Sequence, residues 1–418
     1  MRVAVHTLGC KLNYSESSTI AREFAGRGYE VVPHTEEADI YVVNTCSVTA
    51  HSDKKDRNLI RRLHRRSPEA IIAVTGCYAQ LKGDSIARME GVDIVLGAAD
   101  KGRVVDEVER LLKEGRKGAS RTFLSDIDSV CNIFPAFSTG ERTRSFLKIQ
   151  DGCDYKCTYC TVPYARGASR SLPSSLILSQ AREIAADGIK EIVLTGVNTG
   201  DYGRKSGEDF LELLKGLDGI DGIMRYRISS IEPNLLKPEI VDWIASGTKF
   251  LPHFHIPLQS GCDEVLARMG RRYRTDGFRK KIEYIRDRMD HVFFGIDVIV
   301  GFPGETVDQF EETCGFLEEI RPAFIHVFPY SRRTGTPAAA MPDQVDETVK
   351  AHRVEVLEEM CTRMHEAFCE ENRGREEEVL FESKSKNGVM FGYTRNYIKV
   401  ERPYDPECIG RVVKVILD

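Results

Sequence analysis

The chain has 418 residues, 41% of them hydrophobic and 29% charged, which excludes a disordered polyelectrolyte and a membrane-embedded bundle and leaves two or three soluble domains as the expectation. Its 59 basic and 64 acidic residues give a net charge of −5, so nucleic-acid binding has to come from local basic patches and not from the field of the whole protein. Twelve cysteines, a start that runs straight into an alternating strand with no apolar leader, and no apolar run of bilayer length point to a cytoplasmic protein whose thiols serve metal chemistry.

Residues 2 to about 130 alternate short Val/Ile-rich runs with helical segments. Strands are expected at 3–7, 40–44, 71–75 and 93–96 and helices near 15–27, 50–65 and 101–114, a βαβ rhythm that implies an α/β domain with a doubly wound parallel sheet. Cys10, Cys46 and Cys77 each fall just past the C-terminal end of one of the first three strands. Those ends share one edge of a parallel sheet, so the thiols can converge there, and a three-thiolate cluster is predicted. Gly115, Gly118, Pro135 and Gly140 then break the periodicity, which places a linker at 116–140 after a first domain of 1–115. Cys131 lies in that stretch without partners and is read as structural or incidental.

Further strands are expected at 146–151, 191–196, 225–230, 253–258, 294–300 and 324–329, alternating with helices near 174–186, 208–216, 238–245, 275–289 and 307–319. Six β/α repeats within 141–373 make a partial (β/α)6 TIM-type barrel whose site lies at the C-terminal strand ends. Directly after the first of these strands stands Cys153-Asp-Tyr-Lys-Cys157-Thr-Tyr-Cys160. Structural zinc takes four protein ligands, whereas an iron–sulfur cluster on three thiolates keeps one iron open for substrate. Other strand ends carry Gly196 with Asn198, Ser230 with Glu232, the polar turn 257–261, and Gly301 with Pro303. Glycine admits a ligand close to the backbone, and the polar side chains can satisfy an amino-acid moiety.

A charged helix over 346–373 closes the barrel region, with Cys361 and Cys369 on nearly the same face as packing residues. Strands near 378–382, 389–394, 397–400 and 411–416 make a small antiparallel β domain at 374–418. There Phe391, Tyr393, Arg395, Tyr397, Lys399 and Arg402 interleave aromatic and basic side chains suited to stacking bases and touching phosphates. The basic runs 54–66 and 271–281 offer further phosphate contacts.

These motifs resemble those of the radical S-adenosylmethionine (SAM) methylthiotransferase family over nearly the whole chain. The CxxxCxxC spacing is similar to that of radical SAM enzymes, with Tyr159 matching the aromatic beside the SAM adenine. Residues 6–13, 43–49 and 75–80 resemble the three cysteine motifs of the methylthiotransferase N-terminal domain, and 392–400 resembles the core of the TRAM module, an OB-like RNA-binding β-barrel. The resemblance implies two 4Fe-4S clusters, one on the catalytic Cys153, Cys157 and Cys160 and an auxiliary one on Cys10, Cys46 and Cys77. It also implies SAM contacts at 194–198 and 300–304, with Asn198 standing in for a Gly-Gly-Glu that this chain lacks.

The implied chemistry is release of a 5′-deoxyadenosyl radical from SAM, hydrogen abstraction from the substrate, and delivery of a sulfur methylated by a second SAM. Lys-Leu-Asn after Cys10 and the run 195–203 are most similar to the branch acting on N6-threonylcarbamoyladenosine at tRNA position 37. The implied partners are tRNA, through an anticodon-loop adenosine, and an electron donor such as a flavodoxin or ferredoxin, with no membrane and no stable protein partner. The alternatives are another substrate of the family, isopentenyladenosine in tRNA or a ribosomal protein, and a non-enzymatic iron–sulfur RNA-binding redox sensor.

Overall fold

The computed structural model describes residues 1–116, 118–140 and 143–418; Lys117 in the expected linker, and Glu141 and Arg142 at the head of the expected barrel domain, lie outside the described residues. The first sheet comprises β1 (Arg2–Thr7), β2 (Glu30–Val31), β3 (Ile40–Thr45), β4 (Ile71–Gly76), β5 (Ile94–Leu96) and β6 (Arg121–Phe123), all parallel, in the order β2-β1-β3-β4-β5-β6. β3 and β4 are covered on both faces, which is why they read as near-continuous apolar runs. The helices are α1 (Lys11–Gly26), α2 (Ala50–Arg66), α3 (Cys77–Ala87) and α4 (Val104–Glu114). Ile20, Phe24, Val104 and Val108 of α1 and α4 pack on one face, and Leu59, Leu63, Ala79 and Ile86 of α2 and α3 on the other. The sheet is doubly wound as expected, and Arg121–Phe123, inside the stretch read as linker, extends it by pairing with β5.

Next come β7 (Arg144–Lys148), β8 (Gln150–Asp151), α5 (Val162–Arg166), β9 (Arg170–Ser171), α6 (Ser174–Ala186), β10 (Glu191–Thr195), α7 (Phe210–Asp218), β11 (Arg225–Ile228) and α8 (Pro238–Ala245). They are followed by β12 (His253–Gln259), α9 (Asp263–Arg268), α10 (Thr275–Arg286), β13 (Phe293–Val300), α11 (Val307–Ile320) and β14 (Phe324–Pro329). The strands pair as β7-β10-β11 and β12-β13-β14, and a bridge from Tyr226 to Phe250 joins the two halves into the partial barrel. Among the described residues nothing pairs β7 with β14, and the first domain covers that flank. Tyr14 of α1 meets Phe146 of β7 edge-on at 5.8 Å, and Arg333 beyond β14 binds Asp53 at 2.8 Å and Ser47 Oγ at 2.7 Å.

After α12 (Glu347–Glu371), which lies along β14, the chain ends in β15 (Glu376–Lys386), β16 (Val389–Tyr393), β17 (Lys399–Pro403) and β18 (Val412–Ile416), a curled antiparallel sheet of order β17-β16-β15-β18. It docks on the N-terminal ends of the barrel strands. Arg225 and Arg227 donate to the carbonyls of Glu378, Tyr393, Thr394 and Arg395 at 2.7–3.1 Å, and Tyr397 stacks on Tyr393 and packs at a tilt against His253, both at 4.7 Å. Tyr393 and Tyr397, expected on an RNA-facing surface, therefore serve the barrel contact, because a ring that can stack on a base packs equally well against histidine and arginine.

Five buried charges lock the first sheet to the barrel. Glu16 on α1 takes Lys101 at 2.5 Å, Lys148 at 2.8 Å and Arg166 at 3.1 Å, while Asp151 takes Lys148 at 2.6 Å and Arg166 at 2.9 Å. Burial alone would raise the Glu16 carboxyl, but Arg166, Lys101 and Lys148 hold it well below the usual range. Glu16→Gln leaves three buried cations with one carboxylate and should lower the first denaturant-unfolding transition by about 3–5 kcal/mol. Because the folded carboxyl titrates below its unfolded value of about 4.3, its stabilisation is full above that pH and is lost as pH falls from there through the lower folded value. The wild-type transition should accordingly be undiminished by this group at about pH 5 and weaken as pH falls below about 4.3.

Candidate active site

The CxxxCxxC loop follows β8 at the C-terminal rim of the barrel. Its backbone is fixed by Cys153 N–H to Gly167 O at 3.0 Å, Thr158 N–H to Met269 O at 3.0 Å and Ala338 N–H to Thr158 O at 2.9 Å. Donors converge on the sulfurs: Tyr155 N–H on Cys153 at 3.4 Å, Val162 N–H on Cys160 at 3.4 Å and Arg271 Nη1 on Cys157 at 3.1 Å. Burial pushes Cys153 up to about 11 and Cys160 up to about 12. Thiols so placed ionise only against added positive charge, which iron supplies.

The side chain of Arg271 is only 3% exposed; it pairs with Glu232 and also donates to Tyr159 Oη at 3.4 Å. The basic run 271–281 is expected to contact phosphates, but the side chain of its first residue is buried against the cysteine loop. Tyr159 packs against the apolar cluster that contains Phe302 and Cys262. Gln150 Oε1 accepts from the Val197 and Asn198 N–H groups, both at 2.9 Å, and its Nε2 donates to Gly152 O at 2.7 Å, tying the 194–198 loop to the cysteine loop. Asn198 is buried with neither Nδ2 nor Oδ1 bonded among the described residues, a donor and an acceptor available to an amino-acid ligand. Thr199 binds Ser230 O through its hydroxyl at 2.9 Å, so Gly196, Asn198, Ser230 and Glu232 share one stretch of rim.

Gly301 and Pro303 are placed differently. Gly301 has φ of 71°, a Cβ there would come within 2.1 Å of Lys350 Cγ, and its N–H donates to Glu305 Oε2 at 2.5 Å. This turn is clamped onto α12, and Phe302 within it belongs to the apolar cluster against which Tyr159 packs.

The strand-end cysteines converge at the switch point of the first sheet, where neighbouring β1 and β3 send their helices to opposite faces. Gly9 has φ of 104°, and a Cβ on it would stand 2.6 Å from Cys46 Cβ, so glycine is what lets Cys10 approach Cys46. Asn13 Nδ2 donates to Leu8 O and Thr45 O, both at 2.9 Å, while its Oδ1 accepts from Arg166 Nη2 at 2.5 Å. Arg166 Nε reaches Cys77 Sγ at 3.2 Å. Burial pushes Cys46 up to about 12, and the nearby Cys77 and Cys10 add to it. Burial raises Cys77 as well, with Arg166 acting against the rise. Three thiols gathered beside a guanidinium, Cys46 buried, Cys77 half-buried and Cys10 exposed, suit a second polynuclear cluster. Neither Arg166 nor Arg271 carries a signal in the sequence beyond following the CxxxCxxC motif or opening a basic run.

Alongside Cys10, between the first domain and the barrel, lies a partly open cavity of about 260 Å³ whose lining includes Lys11, Arg144, Arg227, His253 and Tyr397. Burial alone would raise the Tyr397 phenol, but Arg144 and Lys11 outweigh it and bring it below its ordinary value, which marks the cavity as electropositive. Across the lumen His255 Nε2 bonds Asp297 Oδ1 at 2.7 Å.

Residues 2–97 match the family described as Uncharacterized protein family UPF0004, residues 147–317 the Radical SAM superfamily, and residues 370–418 the TRAM domain. The chain is 40% identical to threonylcarbamoyladenosine tRNA methylthiotransferase MtaB of Bacillus subtilis (strain 168), over 99% of this chain and 93% of that protein. It is 36% identical to the tRNA-2-methylthio-N(6)-dimethylallyladenosine synthase of Desulfosudis oleivorans, over 92% and 84%. Its fold is similar to that of the radical SAM methyltransferase TsrM of Kitasatospora setae, at a TM-score of 0.57 and 15% identity over 93% of this chain and 80% of that one.

In protein stripped of iron, iodoacetamide at about pH 8 should alkylate exposed Cys131 first and Cys46, Cys153 and Cys160 about two to three orders of magnitude more slowly, because the thiolate is the nucleophile. The gap should narrow as pH rises towards their raised values, as read by peptide mass spectrometry.

Proposed function

The chain belongs to the radical SAM tRNA methylthiotransferases, and from that membership we propose that it adds a methylthio group at C2 of N6-threonylcarbamoyladenosine at tRNA position 37. The observation that carries the choice of nucleoside is the cationic cavity beside Cys10. A threonylcarbamoyl group ends in a carboxylate at neutral pH, whereas a dimethylallyl group is hydrocarbon and would desolvate those cations without compensation.

In this reading Cys153, Cys157 and Cys160 hold one 4Fe-4S cluster, and Cys10, Cys46 and Cys77 a second. Bound there, the first supplies the electron for reductive cleavage of SAM and the second the sulfur. Asn198 offers its unbonded carboxamide to the amino-acid part of SAM, within a rim formed with Gly196, Ser230 and Glu232. Gly301 and Pro303 frame the turn that sets Phe302 in the apolar cluster against which Tyr159, the stacking partner for the adenine, packs. Arg271 orients Cys157 and Glu232, and Arg166 orients Cys77. On α2, Lys54, Lys55, Arg61 and Arg62 are exposed and form no ion pair among the described residues, a face suited to tRNA phosphates. Domains at 1–115, 141–373 and 374–418 around a linker at 116–140, a cytoplasmic setting and a flavodoxin or ferredoxin as electron donor belong to the same reading. No helix of the described residues is long and apolar enough to cross a membrane.

Deleting the gene should remove the 2-methylthio derivative of N6-threonylcarbamoyladenosine from tRNA hydrolysates examined by nucleoside mass spectrometry. Loss of the methylthiolated dimethylallyl nucleoside instead would transfer the chain to the other substrate. Cys157→Ala should lower iron by about one cluster and stop 5′-deoxyadenosine formation, as three-thiolate ligation requires. Cys46→Ala should spare 5′-deoxyadenosine and block methylthiolation; loss of both reactions in folded protein would sink the division of roles.

A further inference from the structure

We propose that Lys11 receives the carboxylate of the substrate's N6 substituent, an assignment that rests on the threonylcarbamoyl reading above. Lys11 is the first residue of α1, directly after Cys10, and its exposed side chain lines the cavity beside Cys10.

The other charged groups around that cavity are committed. Glu191 binds Arg227 at 2.9 Å and also lies 3.7 Å from Arg144 and 3.9 Å from Arg225, so three arginines share one carboxylate. Arg144 further binds Glu382 at 2.7 Å, and Arg227 is held by carbonyls of the C-terminal sheet. Asp297, the carboxylate across the lumen, is taken by His255. Among the described residues the Lys11 ammonium has neither a hydrogen bond nor an ion pair. The first turn of α1 carries no acidic residue and no side chain caps its N–H groups, so the helix start adds to the positive field.

An ammonium without an ion-pair partner, facing a cationic cavity, is left to a ligand anion, with which it makes a charge-assisted hydrogen bond. One carboxylate on an otherwise uncharged nucleobase supplies that single charge. Asn13 of the same Lys-Leu-Asn motif is occupied with Leu8, Thr45 and Arg166, and Leu12 is core, which leaves Lys11 as the motif's ligand-facing member.

The test uses reconstituted holoenzyme and anticodon stem–loop RNA carrying N6-threonylcarbamoyladenosine, alongside the same RNA with the threonine carboxylate converted to the carboxamide. Binding by fluorescence anisotropy and the KM and kcat of methylthiolation are measured for wild type, Lys11→Gln and Lys11→Arg. Wild type should favour the acid over the amide by roughly ten- to a hundredfold in Kd and KM with kcat little changed, the size expected for one charge-assisted contact. Lys11→Gln should lose that preference with iron content unaltered, and Lys11→Arg should recover most of it. A Lys11→Gln enzyme that still prefers the acid, or whose defect lies in kcat or iron content with the preference intact, overturns the assignment. Wild type that methylthiolates the acid and amide RNAs equally also overturns it while leaving the substrate reading standing. Wild type that modifies neither, yet modifies dimethylallyl RNA, removes the substrate reading itself.

Discussion

The five charges buried between the first sheet and the barrel are the constraint on which the rest of the structure depends. Taken singly, each would lose several kcal/mol of hydration on burial, and only a group in which every member has partners can offset that. Glu16 and Asp151 face Lys101, Lys148 and Arg166, two negative charges against three positive. The surplus positive charge falls to Arg166, the member that touches Cys77, and a thiolate there restores the balance. Such a group has one good geometry. Sliding the first domain along the barrel would strand a charge in a low dielectric, so the two cysteine trios are held at a fixed separation.

What the sequence disclosed was what local pattern encodes. The strands came from Val/Ile runs bounded by glycine and polar turns, the CxxxCxxC motif from its spacing, and the second trio from the recurrence of cysteine just after a strand. Convergence of the second trio followed from a general property of parallel sheets, and it is realised at the β1/β3 switch point. β6 escaped notice because a three-residue strand among glycines has too little periodicity to register.

Long-range pairing was not legible. Arg271 reads as one more residue of a basic surface, and only the folded chain shows its side chain buried against Cys157 and Glu232. Arg166 closes a helix of five residues and says nothing alone, yet it joins Glu16, Asn13, Asp151 and Cys77. Lys11 and Asn13 are two positions apart, and composition cannot tell which one turns towards the lumen and which fastens neighbouring loops. Tyr393 and Tyr397 illustrate the opposite error, since an aromatic and basic pattern predicts stacking without saying on what.

The docking of the C-terminal sheet bears on how this kind of chain diversifies. Tyr397 comes from that sheet and yet walls the cavity, and the arginines that line the cavity are braced by its carbonyls. A recombination event that exchanged the C-terminal module between relatives would therefore also remake the chamber beside Cys10. The wall of that chamber and the C-terminal module would thus change together.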